Sequence, residues 1–191
     1  MPQGSLNGKN NKPEKGRKPP KRITATYLHN AGLYYLQRFS SSSANFRKVM
    51  MRKIDRSCAA HADLNREECK KLLESQITRF QEAGLLNDAA YSRGMVDSLR
   101  RRGLSARMIH AKLQSKGMGR EEIEKALATY DETASEDPEI AAALKFARRK
   151  KIGPFAKGPQ EPQKSLAAMA RAGFTYETAR RVLEMNEEEI I

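Results

Sequence analysis

Apolar residues recur every three or four positions from residue 24 to residue 185, and no segment alternates apolar and polar residues as a half-buried strand does. The first pattern of this kind places Leu28, Ala31, Tyr35 and Phe39 on one face. This spacing gathers side chains on one side of an α-helix, which turns once every 3.6 residues. The pattern therefore predicts an all-α protein built from short amphipathic helices.

Capping residues and glycines mark the helix boundaries. A Ser, Thr, Asp or Asn side chain can accept hydrogen bonds from the first backbone N–H groups, and we predict N-caps at Thr24, Asn65, Asp88, Ser105 and Asp137. Glycine readily adopts the left-handed conformation that ends a helix, and we predict helix ends at Gly84, Gly103, Gly117 and Gly173. The last two helices are predicted at 164–172 and 175–185.

The chain carries an internal repeat. The stretches 117–127 (GMGREEIEKAL) and 173–183 (GFTYETARRVL) align without gaps, and both continue into a helical apolar pattern. A fainter similarity aligns Ser42, Phe46, Met50 and Lys53 with Ser105, Ile109, Leu113 and Lys116. Because a unit of three short helices is too small to close a core alone, the units must stack. We predict tandem three-helix repeats stacked as an elongated, curved, solenoid-like rod, either right- or left-handed.

Composition divides the chain around these repeats. Residues 1–22 are rich in Lys, Arg, Pro, Gly and Asn, which predicts a disordered basic tail. The three repeats are predicted at 23–84, 85–131 and 137–186, with a Gly/Pro-rich loop at 153–162 and an acidic C-terminal tail at 187–191.

The charge balance favours a polyanionic partner. There are 36 Lys and Arg residues against 23 Asp and Glu, a formal net charge of +13, and basic side chains that neutralise phosphates release counterions from nucleic acid. No stretch approaches the roughly 18 apolar residues of a membrane-spanning helix, and residues 1–8 lack the apolar region of a secretory signal. We expect a cytoplasmic protein that does not bind membranes.

The candidate binding residues are basic side chains outside the apolar faces. The main set lies on two adjacent helices, with Asp97 as the only carboxylate between Arg93 and Lys116, and it consists of Arg93, Arg100, Arg101, Arg102, Arg107, Lys112 and Lys116. Two further strips are Arg47, Lys48, Arg52 and Lys53, and Arg148, Arg149, Lys150 and Lys151. Guanidinium groups match the geometry of carboxylates and phosphates, which suits these residues to protein or nucleic acid. The alternative is a solvated surface that only keeps the protein soluble.

No motif for catalysis or metal binding stands out. The three histidines lie far apart in the sequence, and there is no phosphate-binding glycine loop, nucleophile elbow or His-Glu-x-x-His pattern. Cys58, His61 and Cys69 lack a fourth zinc ligand, and Asp97 has no second carboxylate beside it. We therefore expect no enzyme activity, no cofactor, no metal and no small-molecule substrate.

Three segments resemble the RecX family of bacterial regulators of the RecA recombinase. They are 35–54 (YLQRFSSSSANFRKVMMRKI), 86–117, which contains LNDAAY and RRRG, and 170–183, which contains ARAGFTY and RRVL. The chain differs from the family pattern at Leu104-Ser105, where many relatives have Gly-Pro, and in an extra polar segment at 56–65. The resemblance implies an all-α fold of tandem three-helix repeats, the RecA filament as partner and no catalytic residues.

Two functions fit these observations. In the first, whose partner comes from the resemblance, a monomeric non-enzymatic regulator binds the groove of the RecA–DNA filament and inhibits its ATPase and strand exchange, and so regulates DNA repair and recombination. Its basic residues contact acidic side chains or the phosphates of single- or double-stranded DNA. In the second, the chain is a helix-turn-helix DNA-binding protein, with residues 105–116 as the recognition helix and Arg100, Arg101 and Arg102 on the DNA backbone.

Overall fold

The computed structural model describes residues 19–159 and 161–186, so the predictions for residues 1–18 and for the acidic tail 187–191 lie outside it. The described residues form nine α-helices and one 3-10 turn, Gly153–Phe155, with no strand among them. The helices are α1 Ala25–Leu36, α2 Ser43–Ala60, α3 Arg66–Glu82, α4 Asp88–Arg101, α5 Ala106–Ser115, α6 Arg120–Thr133, α7 Pro138–Lys150, α8 Pro162–Arg171 and α9 Tyr176–Glu184. The all-α prediction is confirmed, and none of these helices is both long and apolar enough to cross a membrane.

Most helices begin at a side-chain oxygen that accepts from free backbone N–H groups. The N-caps with such a bond include Thr24, Ser42, Asn65, Ser105, Asp137 and Thr175. The predicted cap of α4 is wrong by one residue, because Asn87 accepts from Ala90 N at 2.8 Å and Asp88 is already helical. The four glycines predicted to end helices, Gly84, Gly103, Gly117 and Gly173, have φ between 71° and 87°.

The helices enclose three separate apolar cores, each formed by three consecutive helices, and we call these groups unit 1 (α1–α3), unit 2 (α4–α6) and unit 3 (α7–α9). Their most buried residues are Leu28, Phe46, Met50, Ile54, Leu73 and Phe80 in unit 1, Val96, Ile109, Leu113 and Ile123 in unit 2, and Ala143, Ala147, Met169 and Val182 in unit 3. This arrangement confirms the tandem helical repeat, while the curvature and handedness of the rod stay predictions.

Two segments of unit 1 differ from the sequence-based expectation. Phe39, predicted on the inner face of the first helix, lies beyond the end of α1 and is 55% exposed. The segment 56–65, predicted to lie between helices, is half helical because α2 continues to Ala60 and buries Ser57. The second helix of unit 1 is therefore the longest in the described part of the chain.

The chain just before α1 packs against unit 1. The Ser57 hydroxyl donates to the Lys21 carbonyl at 2.9 Å, and Arg22 forms an ion pair with Asp63. A ring nitrogen of His61 lies 3.0 Å from the Pro20 carbonyl oxygen. The prediction that the disordered tail extends to residue 22 is therefore wrong for residues 20–22, which these contacts hold against the last turns of α2 and the loop after it.

The units are joined by a hydrogen bond that occurs at both junctions. The Ser42 hydroxyl donates to the Lys116 carbonyl at 2.9 Å, and the Ser105 hydroxyl donates to the Ala172 carbonyl at 2.7 Å. Each serine is the N-cap of the middle helix of its unit, and each carbonyl belongs to the C-cap of the middle helix of the next unit. The start of α2 therefore meets the end of α5, and the start of α5 meets the end of α8.

A carboxylate from the following unit completes each junction. Asp88 accepts from the backbone N–H of Ser43 at 2.7 Å, and Glu139 accepts from that of Ala106 at 3.0 Å. Ser43 and Ala106 are the first residues of α2 and α5, and their N–H groups have no acceptor within their own helices. The same backbone requirement is thus met in the same way at both junctions.

The second junction also contains a buried guanidinium group. Arg100, 3% exposed, donates to Glu139 at 2.6 Å and to Asp131 at 3.4 Å. A buried cation is tolerated when carboxylates neutralise it and accept its N–H groups. Glu139 therefore binds both the start of α5 and the end of α4, which ties unit 3 to two helices of unit 2.

We expect Gly117→Ala to destabilise the protein more than Gly84→Ala. Both positions have positive φ, so alanine costs about 1–2 kcal/mol of backbone strain at either one. A Cβ at position 117 would lie 2.6 Å from the Ala44 Cβ across the first junction, whereas a Cβ at position 84 meets nothing within 4 Å. The overpacking costs about 1–3 kcal/mol more. Urea unfolding followed by circular dichroism compares the two, and equal losses would show that the junction tolerates a methyl group.

Arg100→Met and its neighbour Arg101→Met form a second matched pair. Removing the buried charge leaves Glu139 and Asp131 without their cation, and we expect the free energy of unfolding to fall by about 2–4 kcal/mol. Arg101 is 69% exposed and, among the described residues, forms an ion pair only with Asp97 on its own helix, so its replacement should cost less than about 1 kcal/mol. Thermal and urea unfolding check both values. A loss at Arg100 no larger than that at Arg101 would contradict the structural role of the buried charge.

Candidate binding surface for polyanions

The structure distributes the fifteen predicted basic residues over four places. Seven lie on α2, on α5 or at the C-cap of α5, and six lie where α4 and α7 end. Arg93 lies on the exposed side of α4, and Arg100 is buried in the second junction. The predicted set is therefore not a single continuous patch, and its parts differ in what they contact.

Two ion pairs join α2 to α3. Arg47 donates to both carboxylate oxygens of Glu74 at 2.7 Å, and this hydrogen-bonded guanidinium lowers the pKa of the Glu74 carboxyl. Asp55 accepts from Arg66 at 2.8 Å. Arg47 is thus committed to a partner within the unit, and the only carboxylate on α2 is itself neutralised by α3.

The other basic residues of α2 form an exposed stripe. Lys48, Arg52 and Arg56 are spaced one turn apart, and all three are exposed, while Lys53 is half-buried. Side chains at i and i+4 lie on the same face of a helix. The stripe therefore presents three cations on one face of α2.

The second helix of unit 2 repeats this excess of positive charge. Arg107, Lys112 and Lys116 are exposed, and α5 contains no Asp or Glu. Lys112 and Lys116 lie one turn apart near the end of the helix, where cations are favoured by the helix dipole. These residues form an exposed positive surface next to the first junction.

Two arginine-rich runs that are distant in sequence form one group, which we call the junction cluster: Arg101, Arg102, Arg148, Arg149, Lys150 and Lys151. The Arg149 guanidinium donates to the Arg102 carbonyl at 3.0 Å, which joins the end of α7 to the end of α4. Arg148 lies over the Phe155 ring at 4.9 Å from its centre. All six side chains are exposed, so the cluster is available to a partner.

Two of the predicted residues do not belong to an exposed basic surface. The prediction of Arg100 as a partner-binding residue is wrong, because Glu139 and Asp131 enclose its charge and the side chain is buried. Arg93 lines a cavity of about 350 Å³ together with Glu121 and Glu122 of α6, so carboxylates neighbour its charge. Arg100 is therefore excluded from the exposed basic surface. Arg93 is left out of it as well, because its surroundings contain both charges.

The sequence-based selection missed basic residues on the middle helix of unit 3. Lys164 and Arg171 are exposed on α8, which contains no carboxylate within its bounds, and Lys164 pairs at 2.6 Å with Glu161, the N-cap of that helix. They escaped notice because they are seven residues apart and do not form a run. Placing α8 beside α5 through the internal repeat would have found them.

The two thiols lie in the packing of unit 1. Cys69 is buried in the core, and burial raises the pKa of its thiol, with Cys58 as a neighbouring group that raises it further. Within the described part of the chain, no group of three or more His, Cys, Asp and Glu side chains is arranged to hold a metal ion.

Comparisons with known proteins agree on one family. Residues 87–127, which include α4 and α5, match the family model described as RecX, second three-helix domain. The regulatory protein RecX of Myxococcus xanthus is 37% identical over 94% of this chain and 96% of that protein, and the one of Agrobacterium fabrum is 32% identical over 86% and 85%.

A solved structure supports the fold. The crystal structure of a regulatory protein RecX matches with a TM-score of 0.63 over 84% of this chain and 72% of that one, at 17% identity. At this identity the match supports the fold alone. The family is shown by the two relatives, which are more than 30% identical over most of both chains. This three-unit helical protein belongs to the RecX family.

Proposed function

We propose that this protein regulates the RecA recombinase by binding the RecA–DNA filament, and that it lowers the ATPase and strand-exchange activities of that filament. The observation that carries the proposal is the match, over nearly its whole length, to a curated relative named a regulatory protein. The relatives are named as regulators, and we propose that this chain likewise acts without catalysis of its own, as a monomer in the cytoplasm.

The arrangement of units suits a long, repeating partner. Three units in series present several basic surfaces at intervals, and a filament presents equivalent sites at intervals along its groove. Contacts that are weak individually become strong together when one molecule makes them at the same time. A stack that bridges neighbouring subunits opposes the rearrangements that accompany ATP turnover, which accounts for inhibition.

The junction cluster is a suitable contact for the protein component of the filament. It offers four arginines whose planar guanidinium groups bind carboxylates through two parallel hydrogen bonds. Arg148 and Arg149 also lie over phenylalanine rings, which limits the freedom that binding would remove. We therefore assign acidic side chains of RecA as the partners of this cluster.

The packing of α5 argues against the helix-turn-helix alternative. A recognition helix inserts its N-terminal residues into the major groove. Here the N-cap Ser105 is fully buried, and its hydroxyl is bonded to the Ala172 carbonyl of unit 3. Arg100, the first of the three arginines expected on the DNA backbone, is buried as well. The start of α5 is thus occupied by a neighbouring unit.

The test is the ATPase rate of the cognate RecA on saturating single-stranded DNA during titration with this protein. Wild type should lower the rate at concentrations below that of RecA. The variant Arg101→Glu, Arg102→Glu, Lys150→Glu should need about five-fold or more protein for half-maximal inhibition, because acidic partners are then repelled. Co-sedimentation with filaments measures binding directly.

A charge-matched variant separates local from general effects. Arg79→Glu, Lys125→Glu, Arg181→Glu makes the same charge change on exposed positions of α3, α6 and α9 and should inhibit like wild type. If wild type neither sediments with filaments nor changes the ATPase rate, the proposed function is refuted. If both variants lose inhibition equally, the junction cluster is not the contact.

A further inference from the structure

The middle helices of the three units form a series. The hydroxyls of Ser42 and Ser105 bond the carbonyls at the ends of the next middle helices, so α8, α5 and α2 follow one another end to start. We call these three helices the middle-helix row. At a rise of 1.5 Å per residue its contour length is about 57 Å. The three middle helices therefore follow one another, end to start, through all three units.

Charge is sorted between this row and the third helices of the units. The middle-helix row contains nine Lys and Arg residues and one carboxylate, Asp55, which already accepts from Arg66. The third helices α3, α6 and α9 contain eight basic and eleven acidic residues. A surface that only kept the protein soluble would not require more positive charge on the middle helices than on the third helices. The positive charge is concentrated on the row that is continuous between units.

The exposed side chains of the row restrict its partner. The one Phe, Tyr or Trp on these three helices is Phe46, and it is buried. The large exposed apolar residues of the described chain, Tyr34, Phe39, Leu72, Leu85 and Tyr176, all lie on other elements. A helix that enters a membrane interface needs exposed apolar residues, and one that stacks on bases needs exposed aromatic residues. The row offers neither, so a partner binds it through its charges.

We propose that the middle-helix row binds the phosphate backbone of nucleic acid without reading its sequence. The exposed cations are Lys48, Arg52, Arg56, Arg107, Lys112, Lys164 and Arg171 on its helices and Lys116 at the C-cap of α5. Lys164 also pairs with Glu161, the N-cap of α8, at 2.6 Å. Phosphates spaced along a strand meet cations spaced along the row, and each neutralised phosphate releases counterions. The inference extends the proposed function, since it assigns DNA of the filament to this row and RecA to the junction cluster, but it is testable without RecA.

The experiment measures binding of the full-length chain to fluorescein-labelled duplex and single-stranded oligonucleotides of mixed sequence, by fluorescence anisotropy over a series of salt concentrations. The row variant is Arg52→Glu, Lys112→Glu, Arg171→Glu, with one change on each middle helix. The control is the third-helix variant Arg79→Glu, Lys125→Glu, Arg181→Glu, which has the same residue types and the same net charge. All six positions are exposed.

The row variant should raise the Kd for duplex DNA by more than about ten-fold at moderate salt and reduce the slope of log K against log salt by about 2.7, since three phosphate contacts are lost. The control should change the slope by less than about one. Scrambling the oligonucleotide sequence should leave wild-type affinity unchanged. Circular dichroism verifies folding, and a variant with Gln at the same three row positions replaces the Glu variant if that one unfolds.

Equal weakening by the two variants overturns the inference, because binding would then follow net charge alone. A clear preference for one sequence overturns it too. If the row variant loses DNA binding while wild type leaves the ATPase of RecA unchanged, DNA binding by the middle-helix row is supported and the proposed function is refuted. If wild type inhibits RecA and the row variant binds DNA normally, the proposed function is supported and DNA binding by the middle-helix row is refuted.

Discussion

The hydroxyl group of one serine at each junction sets how the units stack. Ser105 accepts from the N–H of Met108 at 3.3 Å as an N-cap and donates to the Ala172 carbonyl of the next unit, and Ser42 does the same with Asn45 and Lys116. A hydroxyl has one hydrogen and two lone pairs, so both bonds can form together. The positive start of one helix then faces the negative end of another, which the helix dipoles favour. Because the contact needs close approach, the next residue of the partner helix is a glycine in both places.

The two junctions differ in how strongly they are reinforced. At the first, Asp88 accepts from the backbone N–H of Ser43, whose hydroxyl accepts from the Gln81 amide within unit 1. No ion pair joins units 1 and 2 among the described contacts. At the second, Arg100 joins α4, α6 and α7 through two carboxylates. The ion pair with Glu139 therefore ties unit 3 to unit 2, and displacing unit 3 would leave Arg100 with only the longer contact to Asp131 of its own unit.

Local chemistry explains which features could be predicted from the sequence. Thr24, Asn65, Ser105 and Asp137 cap helices through atoms two or three residues away, and such short-range bonds leave a signature in the sequence. The position of the α4 cap was ambiguous because Asn87 and Asp88 are both good capping residues. The tail boundary was wrong because the contacts of residues 20–22 come from residues about forty positions later.

The candidate site shows the same limit. In sequence Arg100, Arg101 and Arg102 are indistinguishable, and only the fold brings Glu139 against the first of them, 39 residues away. Conversely, Lys164 and Arg171 look ordinary until α8 is placed in line with α5. Runs of charge are visible in a sequence, whereas the surface they join depends on contacts between units.

The charge of the middle-helix row also depends on its neighbours. Glu74 and Arg66 of α3 neutralise one cation and the one carboxylate of α2, so the ion pairs leave the exposed stripe at Lys48, Arg52 and Arg56 positive. Had the carboxylate been unpaired, its field would oppose that of the stripe within a Debye length of about 8–10 Å. In unit 1 the third helix thus neutralises the only carboxylate of the middle helix. The serine contacts place the basic end of α5 at the start of α2. The ion pairs between α2 and α3 and the serine hydrogen bonds between units therefore determine both the fold and the distribution of charge on its surface.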